Sequence, residues 1–464
     1  MASNLSTIFN ISISSGIFPQ ALKVAKVIPI YKVEDRMLAS NYRPISLLII
    51  GKLFETLIFI RLSSFINKYK ILFDRQYGFQ SGKYTEHAII DIQECILNSL
   101  EKKDWPCCIF LDFAKAFDTV NHSILLQKLN HYGIRGNALQ LIESYLAGRE
   151  QCVQLNGTQS DFETIKHGVP QGSILGPLFF LLYINDIANC STILKFYLFA
   201  DDTTIFFSHK DINKLESTIN DELSHVASWL VANKLSLNVG KSNALLFRTS
   251  DKNVPSLNIK INGQPIDEKQ SAKYLGILID NKLSFEKHIQ HVKSKLNKGN
   301  AILRMVREYL PKKTLLDTYY ANIQPHIDYG VNIWGHTSKT HLISLERQQR
   351  KSIRLMNFRR KRDDTTELFK NDKILPLPQN LQLHSAKHLW KASKDLIPAP
   401  LKTLYTKRSY NSTFHLPFKR IETTKKCSSY HGVKMWNQIP ESLRLSESFN
   451  IFKTNYKKYL INQI

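Results

Sequence analysis

The chain has 464 residues, 43% hydrophobic and 22% charged, long enough for two or three domains with their own cores; this composition excludes a disordered tail. Lys and Arg number 63 against 39 Asp and Glu, and the net charge of +24 points to a polyanionic partner, with general stickiness or an anionic membrane surface as the competing reading. The six cysteines, Cys95, Cys107, Cys108, Cys152, Cys190 and Cys427, form no CxxC pair and no Cys/His quartet, which argues against a zinc site or a disulfide framework and fits a reducing, intracellular setting.

In chain order, the start carries no basic segment leading into an apolar core. Apolar runs such as 178–184 fall short of the roughly 20 residues that a spanning helix needs, so neither secretion nor a membrane span is expected. Residues 8–13 are mildly apolar, and the stretch KVAKVIPIYK at 23–32 alternates charge with strand formers. In NYRPIS at 41–46, Ser46 is placed to open an apolar helix over 47–65, while Arg43 either grips a phosphate or fixes the turn. The Gly-punctuated basic loop QYGFQSGK at 76–83 precedes a predicted helix over 87–100, and its backbone is suited to approach a triphosphate.

The run CCIFL at 107–111 is continuously apolar and predicts a strand buried on both faces, ending in Asp112. An acid at the end of a buried strand is costly unless something pairs with it, and a metal would. Asp118 instead suits capping of a predicted helix over 119–129. In HGVPQGSILGP at 167–177, Gly168, Pro170, Gly172 and Gly176 impose a tight path of the kind used beside a ligand. Gln171 at its centre is either an outward turn residue or an amide for a sugar or base.

The stretch KFYLFADDTTIFFS at 195–208 predicts a hairpin with Ala200, Asp201 and Asp202 at its tip. Asp is a common turn residue. Joined by Asp112, however, the pair supplies what Mg²⁺ needs, a few carboxylates completed by substrate phosphates. Ile212, Leu215, Ile219, Leu223, Val226 and Leu230 form a helical stripe over 211–233 that packs on a sheet. Asn262-Gly263 marks a hairpin between 257–261 and 264–266. After Phe285 an apolar helical face from Ile289 to Leu310 is covered elsewhere by Lys and Arg, and further helices are predicted over 312–323 and 341–356. RRKR at 359–362 opens a Lys- and Pro-rich region to about 417, read as a basic linker suited to nuclear import or RNA contact. A small helical module follows, presenting Trp436 and Lys453 or Lys457.

The ordered set NYRPISLL at Asn41, QYGF at Gln76, LDFAKAFDTV at Leu111, GVPQGSILGPLFFLLYINDI at Gly168, FADD at Phe199, NVGKSNALLF at Asn238 and KYLGILID at Lys273 resembles the reverse transcriptase of non-LTR (LINE-type) retrotransposons, nearest to the jockey-like branch, over nearly the whole chain. The resemblance implies an α+β right-hand polymerase. Fingers and an N-terminal extension would span 1–105, and a ferredoxin-like antiparallel palm 106–285, with an inserted fingers segment at about 130–165. A helical thumb would span 286–358, the basic linker 359–417 and a C-terminal module 418–464, so the C-terminal region is mainly helical and basic. The implied reaction is RNA-directed DNA synthesis, in which dNTPs are added to a DNA primer 3′-hydroxyl on an RNA template.

Carried over residue by residue, the resemblance implies that Asp112, Asp201, Asp202 and the carbonyl of Phe113 hold two Mg²⁺ ions, with Mn²⁺ as an alternative. Phe117 would be the steric gate against a 2′-hydroxyl. Gln171 and Gly172 would contact the incoming nucleotide, Arg43 and Lys83 its phosphates, and Lys241 the leaving pyrophosphate. Residues 273–280, with the 262–263 hairpin, would hold the primer end. Departures from the family pattern are Gln80 and Tyr84 in the 76–85 loop, where Lys83 substitutes, and two acids in Lys32-Val33-Glu34-Asp35. No endonuclease domain and no RNase H acid cluster is expected. The expected partners are RNA template, DNA primer or target, and dNTPs, in the nucleus, the cytoplasm or both. Three alternatives stand beside it: a catalytically silent truncated copy acting as a basic nucleic-acid-binding protein, an RNA-dependent RNA polymerase, disfavoured by Phe117, and a maturase-type enzyme, disfavoured by the C-terminal match.

Overall fold

A computed structural model describes residues 2–32, 35–47, 49–249, 255–408 and 412–464. Val33 and Glu34 of the acid-bearing turn, and Leu48 of the helix expected over 47–65, lie outside the described residues.

The N-terminal third runs α1 (Ala2–Ser15), β1 (Val24–Tyr31), β2 (Tyr42–Leu47), α2 (Ile49–Lys68) and α3 (Thr85–Glu101). Ser46 does not open a helix. It is buried in β2, opposite Val27 of β1. The extended run finds a partner strand, and Pro44 is tolerated because β2 is the edge of its sheet, so pairing overrides the local capping signal.

Next come β3 (Trp105–Leu111), α4 (His122–His131), α5 (Asn137–Leu146), β4 (Arg149–Leu155), β5 (Thr158–Gln159) and β6 (Glu163–Ile165). They are followed by α6 (Leu175–Ile184), β7 (Lys195–Phe199), β8 (Asp202–His209), α7 (Ile212–Ala232) and β9 (Asn243–Leu246). Strand β4 runs parallel to β1, so residues 149–155 complete the sheet begun near the N-terminus. The helix after Asp112 starts later than expected, at His122. Its cap is Asn121, whose side chain accepts from the Ile124 amide, and Asp118 stays exposed outside the helix.

Short strands β10 (Lys260–Ile261), β11 (Gln264–Pro265) and β12 (Asp267–Glu268) lead to the hairpin β13 (Ser271–Tyr274) and β14 (Ile277–Asp280). The central sheet has the order β12-β9-β3-β8-β7. Taken in chain order, β3, β7, β8 and β9 lie as 4-1-3-2 with antiparallel neighbours, the split βαβ arrangement of a ferredoxin-like palm. Strand β3 is buried on both faces because it separates two cores. Cys107, Ile109 and Leu111 join α6 and α7 on one side, and Cys108 and Phe110 join α3 on the other.

The remainder is helical: α8 (Glu286–Val306), α9 (Lys312–Asn322), α10 (Gln324–Asp328), α11 (Val331–Trp334), α12 (Lys339–Met356), α13 (Thr366–Asn371), α14 (Leu377–Ser393), α15 (Ala399–Lys402), α16 (Val433–Asn437), α17 (Glu441–Arg444) and α18 (Phe449–Asn462). The described residues of 359–417 are therefore not a loose linker. Phe369, Leu377, Leu389, Trp390 and Phe414 are buried in the same core as α8 and α12, because their apolar face is continuous once the interleaved lysines turn outward. Trp436, expected to be presented to solvent, is fully buried there, and its Nε1 donates to the Ser412 carbonyl. All six cysteines are unpaired, and among the described residues no helix is long and apolar enough to cross a membrane.

Candidate active site

The end of β3 and the β7–β8 turn meet by register. Leu111 pairs with Thr203 and Phe199 with Asp202, so Asp112 leaves the sheet alongside the turn that carries Asp201 and Asp202. Ala200 adopts the left-handed conformation at φ 57°, unusual for a residue with a Cβ, and something must hold it there. Gln76 does. Its Oε1 accepts from the Ala200 amide at 3.1 Å and from the Gly78 amide at 2.9 Å. The Tyr77 amide donates to the Leu198 carbonyl, and the Leu198 amide to the Arg75 carbonyl. A Cβ on Gly78 would stand 2.4 Å from the Ala200 nitrogen, so only glycine lets the two backbones approach this closely.

The 76–83 loop thus buttresses the acidic hairpin from behind. Lys83 is turned inward. Its ammonium donates to the carbonyls of Asp74 and Gln76 at 2.8 Å each, and burial lowers its pKa to about 8. Neither Lys83 nor Asp202, the residue after Asp201 at the start of β8, lines the cavity that gathers the other expected residues.

That cavity, of about 790 Å³, is lined by Arg43, Asp112, Phe113, Phe117, Gln171, Gly172, Asp201 and Lys241, among others. Phe117 stacks on buried Phe180 with ring centres 4.6 Å apart and meets Phe79 edge to face at 6.4 Å, which fixes its ring in the wall. Gln171 is held twice: its Nε2 donates to Asp118 Oδ1 at 2.9 Å, and its carbonyl accepts the Ser46 amide at 2.8 Å. Gly172, at φ 97°, lies so close to Ser46 that a Cβ would come within 3.1 Å of its carbonyl oxygen. Buried Glu55 fixes the rest of the turn by accepting from the amide of Ile174 at the start of α6. On the far wall, the Asn238 amide donates to the Asp112 carbonyl and the Asp112 amide to Ser242 Oγ, so the turn that carries exposed Lys241 is latched to the backbone of Asp112.

The charges are arranged asymmetrically. Lost hydration, then the charges of Asp201 and Asp112, raise the Asp202 carboxyl to about 6. Asp201 is raised as well, chiefly by lost hydration and also by Asp112, although Arg43 and Lys32 oppose the shift. Acids that destabilise one another's charged forms at the mouth of a cavity are a donor set that fits a divalent cation. Among the described residues no three acidic, His or Cys side chains already converge into a coordination shell.

Sequence reasoning missed the supports: Gln76, Glu55, Asn238, Ser242 and the cavity-lining Phe79. Gln76 and Phe79 lie in the QYGF motif, and Asn238 and Ser242 in NVGKS, so the signal was present but assigned to other roles.

The profile of the reverse transcriptase (RNA-dependent DNA polymerase) family matches residues 30–279, more than half of the chain and the whole of this cavity wall. The chain belongs to that family. Among curated relatives, "Probable RNA-directed DNA polymerase from transposon X-element" of Drosophila melanogaster is 29% identical over 83% of this chain and 43% of its own length. The RNA-directed DNA polymerase from mobile element jockey of Drosophila funebris is 30% identical over 75% of this chain and 39% of its own. The chain therefore spans about two-fifths of the length of these relatives. A solved structure of apo telomerase from Candida tropicalis aligns with 80% of this chain and 70% of its own at 12% identity and a TM-score of 0.42.

Proposed function

We propose that the chain is the polymerase region of a non-LTR retrotransposon reverse transcriptase, an RNA-directed DNA polymerase that extends a DNA primer with dNTPs on an RNA template. The observation that carries this reading is the single cavity where the ends of two strands deliver Asp112 and Asp201 beside Phe117, Gln171, Arg43 and Lys241. In this reading 1–105 are fingers, completed by about 130–165 through the β1–β4 pairing. The palm spans 106–285 and the thumb 286–358, and 359–464 enlarges the thumb core. The whole would act inside the cell, in the nucleus, the cytoplasm or both.

Asp112, Asp201, Asp202 and the Phe113 carbonyl would hold two Mg²⁺ ions, or Mn²⁺, which supply the acidity that activates the primer hydroxyl and neutralises the departing pyrophosphate. The chain's own groups do the positioning. Phe117, clamped between Phe79 and Phe180, leaves no room for a 2′-hydroxyl under the sugar. Gln171, steadied by Asp118 and Ser46, offers its amide to the nucleotide. Arg43 and Lys241 supply cations for the phosphates. Lys83 has a structural role instead, closing the loop behind the hairpin.

The test is primer extension on poly(rA)/oligo(dT) with Mg²⁺. Wild type should extend the primer with dTTP and discriminate against UTP, and Asp201→Asn should lose about 10²–10³-fold in rate, the range of removed transition-state electrostatics. Folded wild type that incorporates nothing would favour the silent-copy alternative, and equal use of UTP would remove the gate role of Phe117.

A further inference from the structure

A second cavity, of about 570 Å³, lies between α3, α10, α14 and α18 and shares no wall residue with the catalytic one. Its size is that of small-ligand sites. The first turn of α3, Thr85 to His87, forms part of its wall, and this 17-residue helix begins without a side-chain cap from Tyr84. The His87 amide donates to the Tyr84 carbonyl at 3.0 Å and Glu86 supplies one carboxylate to the first turn, and the positive end of the helix dipole favours a further anion there. A second and independent observation is His87, 3% exposed, whose Nδ1 has no hydrogen-bond partner among the described residues. A polar atom buried in that way is costly unless a ligand meets it.

Two lysines one helical turn apart on α14, Lys387 and Lys391, stand on the wall, and among the described residues neither makes an ion pair. Lost hydration and the nearby ammonium of Lys453 lower the pKa of Lys387. The acids that face them are Glu86 and Asp328. Asp328 is already taken, accepting from Gln324 and Asn380 at 2.7 and 2.8 Å, with His384 at 3.4 Å. Lys391 lies 5.1 Å from the ring centre of Tyr84 and 5.0 Å from that of Phe449. Tyr84, Tyr320 and Tyr329 leave 52%, 44% and 43% of their surface open.

We propose that this cavity binds one nucleotide unit of a single-stranded nucleic acid, its phosphate on Lys387 and Lys391 at the start of α3 and its base against the exposed tyrosine rings. Cations alone would suit any polyanion. Cations interleaved with open aromatic faces are the chemistry of sequence-tolerant single-strand binding, in which every base offers a face to stack. The proposal concerns binding and does not require turnover, so it stands or falls separately from the polymerase reading.

The test uses the full chain with short labelled single-stranded RNA or DNA, read by fluorescence anisotropy while excess unlabelled hairpin primer–template fills the catalytic cleft. Lys387→Ala/Lys391→Ala should weaken single-strand binding by about tenfold or more and flatten the salt dependence by about one unit of log–log slope. Tyr84→Leu should weaken it about tenfold with the slope unchanged. Lys387→Arg/Lys391→Arg, which keeps both charges and guards against a folding defect, should restore binding. Tighter binding of RNA than of DNA, or equal binding of both, supports the site and tells whether a 2′-hydroxyl is contacted. Unchanged affinity in the double alanine variant overturns the proposal. So does oligoglutamate binding that the variant loses while oligonucleotide binding persists, which would assign the cavity to an acidic protein segment.

Discussion

Asp202 is raised from an ordinary 3.8 to about 6, so between about pH 4 and 6 the folded chain holds a proton that the unfolded chain has lost. Stability tied to that proton is fully present below the window and falls as pH rises through it. Thermal melting of metal-free protein across this range should show the decline, and Asp202→Asn should flatten it; a flat wild-type profile would remove the raised carboxyl, held up chiefly by lost hydration and then by Asp201 and Asp112, on which the cation fit rests. Gln76 makes a second residue-scale prediction. Gln76→Ala strips the acceptor from the Ala200 and Gly78 amides, at about 1–3 kcal/mol per buried amide, and loosens the turn that aims Asp201. Urea unfolding should show a lower midpoint, and primer extension a reduced kcat with little change in KM for dNTP. Lys83 and Asp118 show why single residues mislead. A lysine in a glycine-rich loop and an acid before a helix both have strong local readings, yet the partners they find, the Asp74 and Gln76 carbonyls and the Gln171 amide, depend on how the loops pack.

Elements were legible where periodicity was long and undisturbed. The stripe over 211–233 became α7, capped by Asp211, and the Asn-Gly pair at 262–263 closed the β10–β11 hairpin. Strand β2 was misread because a serine before an apolar run is an equally good start for a helix, and only β1 alongside it decides. The region 359–417 was misread because its lysines dilute a helical face that becomes visible only when α14 docks on α18 and α16. Leu389, fully buried in α14, provides the check: Leu389→Ala should cost about 2–5 kcal/mol in chemical denaturation. A loss below about 0.5 kcal/mol would mean that this region is peripheral to the core after all.

At the scale of the molecule, the charge of +24 belongs to surfaces rather than to the fold. Template–primer affinity should therefore fall linearly with salt on a log–log plot, by at least about a hundredfold between roughly 50 and 200 mM, as an interface with several phosphate contacts would. A salt-insensitive affinity would contradict phosphate tracking.

By itself the sequence determined the β3 strand, the acidic hairpin and the order of the motifs, because apolar runs, turn residues and carboxylates at strand ends are constraints each segment carries locally. Only the tertiary structure decided that Gln76 of QYGF supports the hairpin while Phe79 lines the cavity, that Asp118 steadies Gln171, and that the described helices after residue 359 share one core with α8 and α12. The physical reason is range. Backbone propensity and periodicity act over a few residues, whereas a hydrogen bond from Ala200 to Gln76 or from Gln171 to Asp118 exists only after segments far apart in the chain have been packed together.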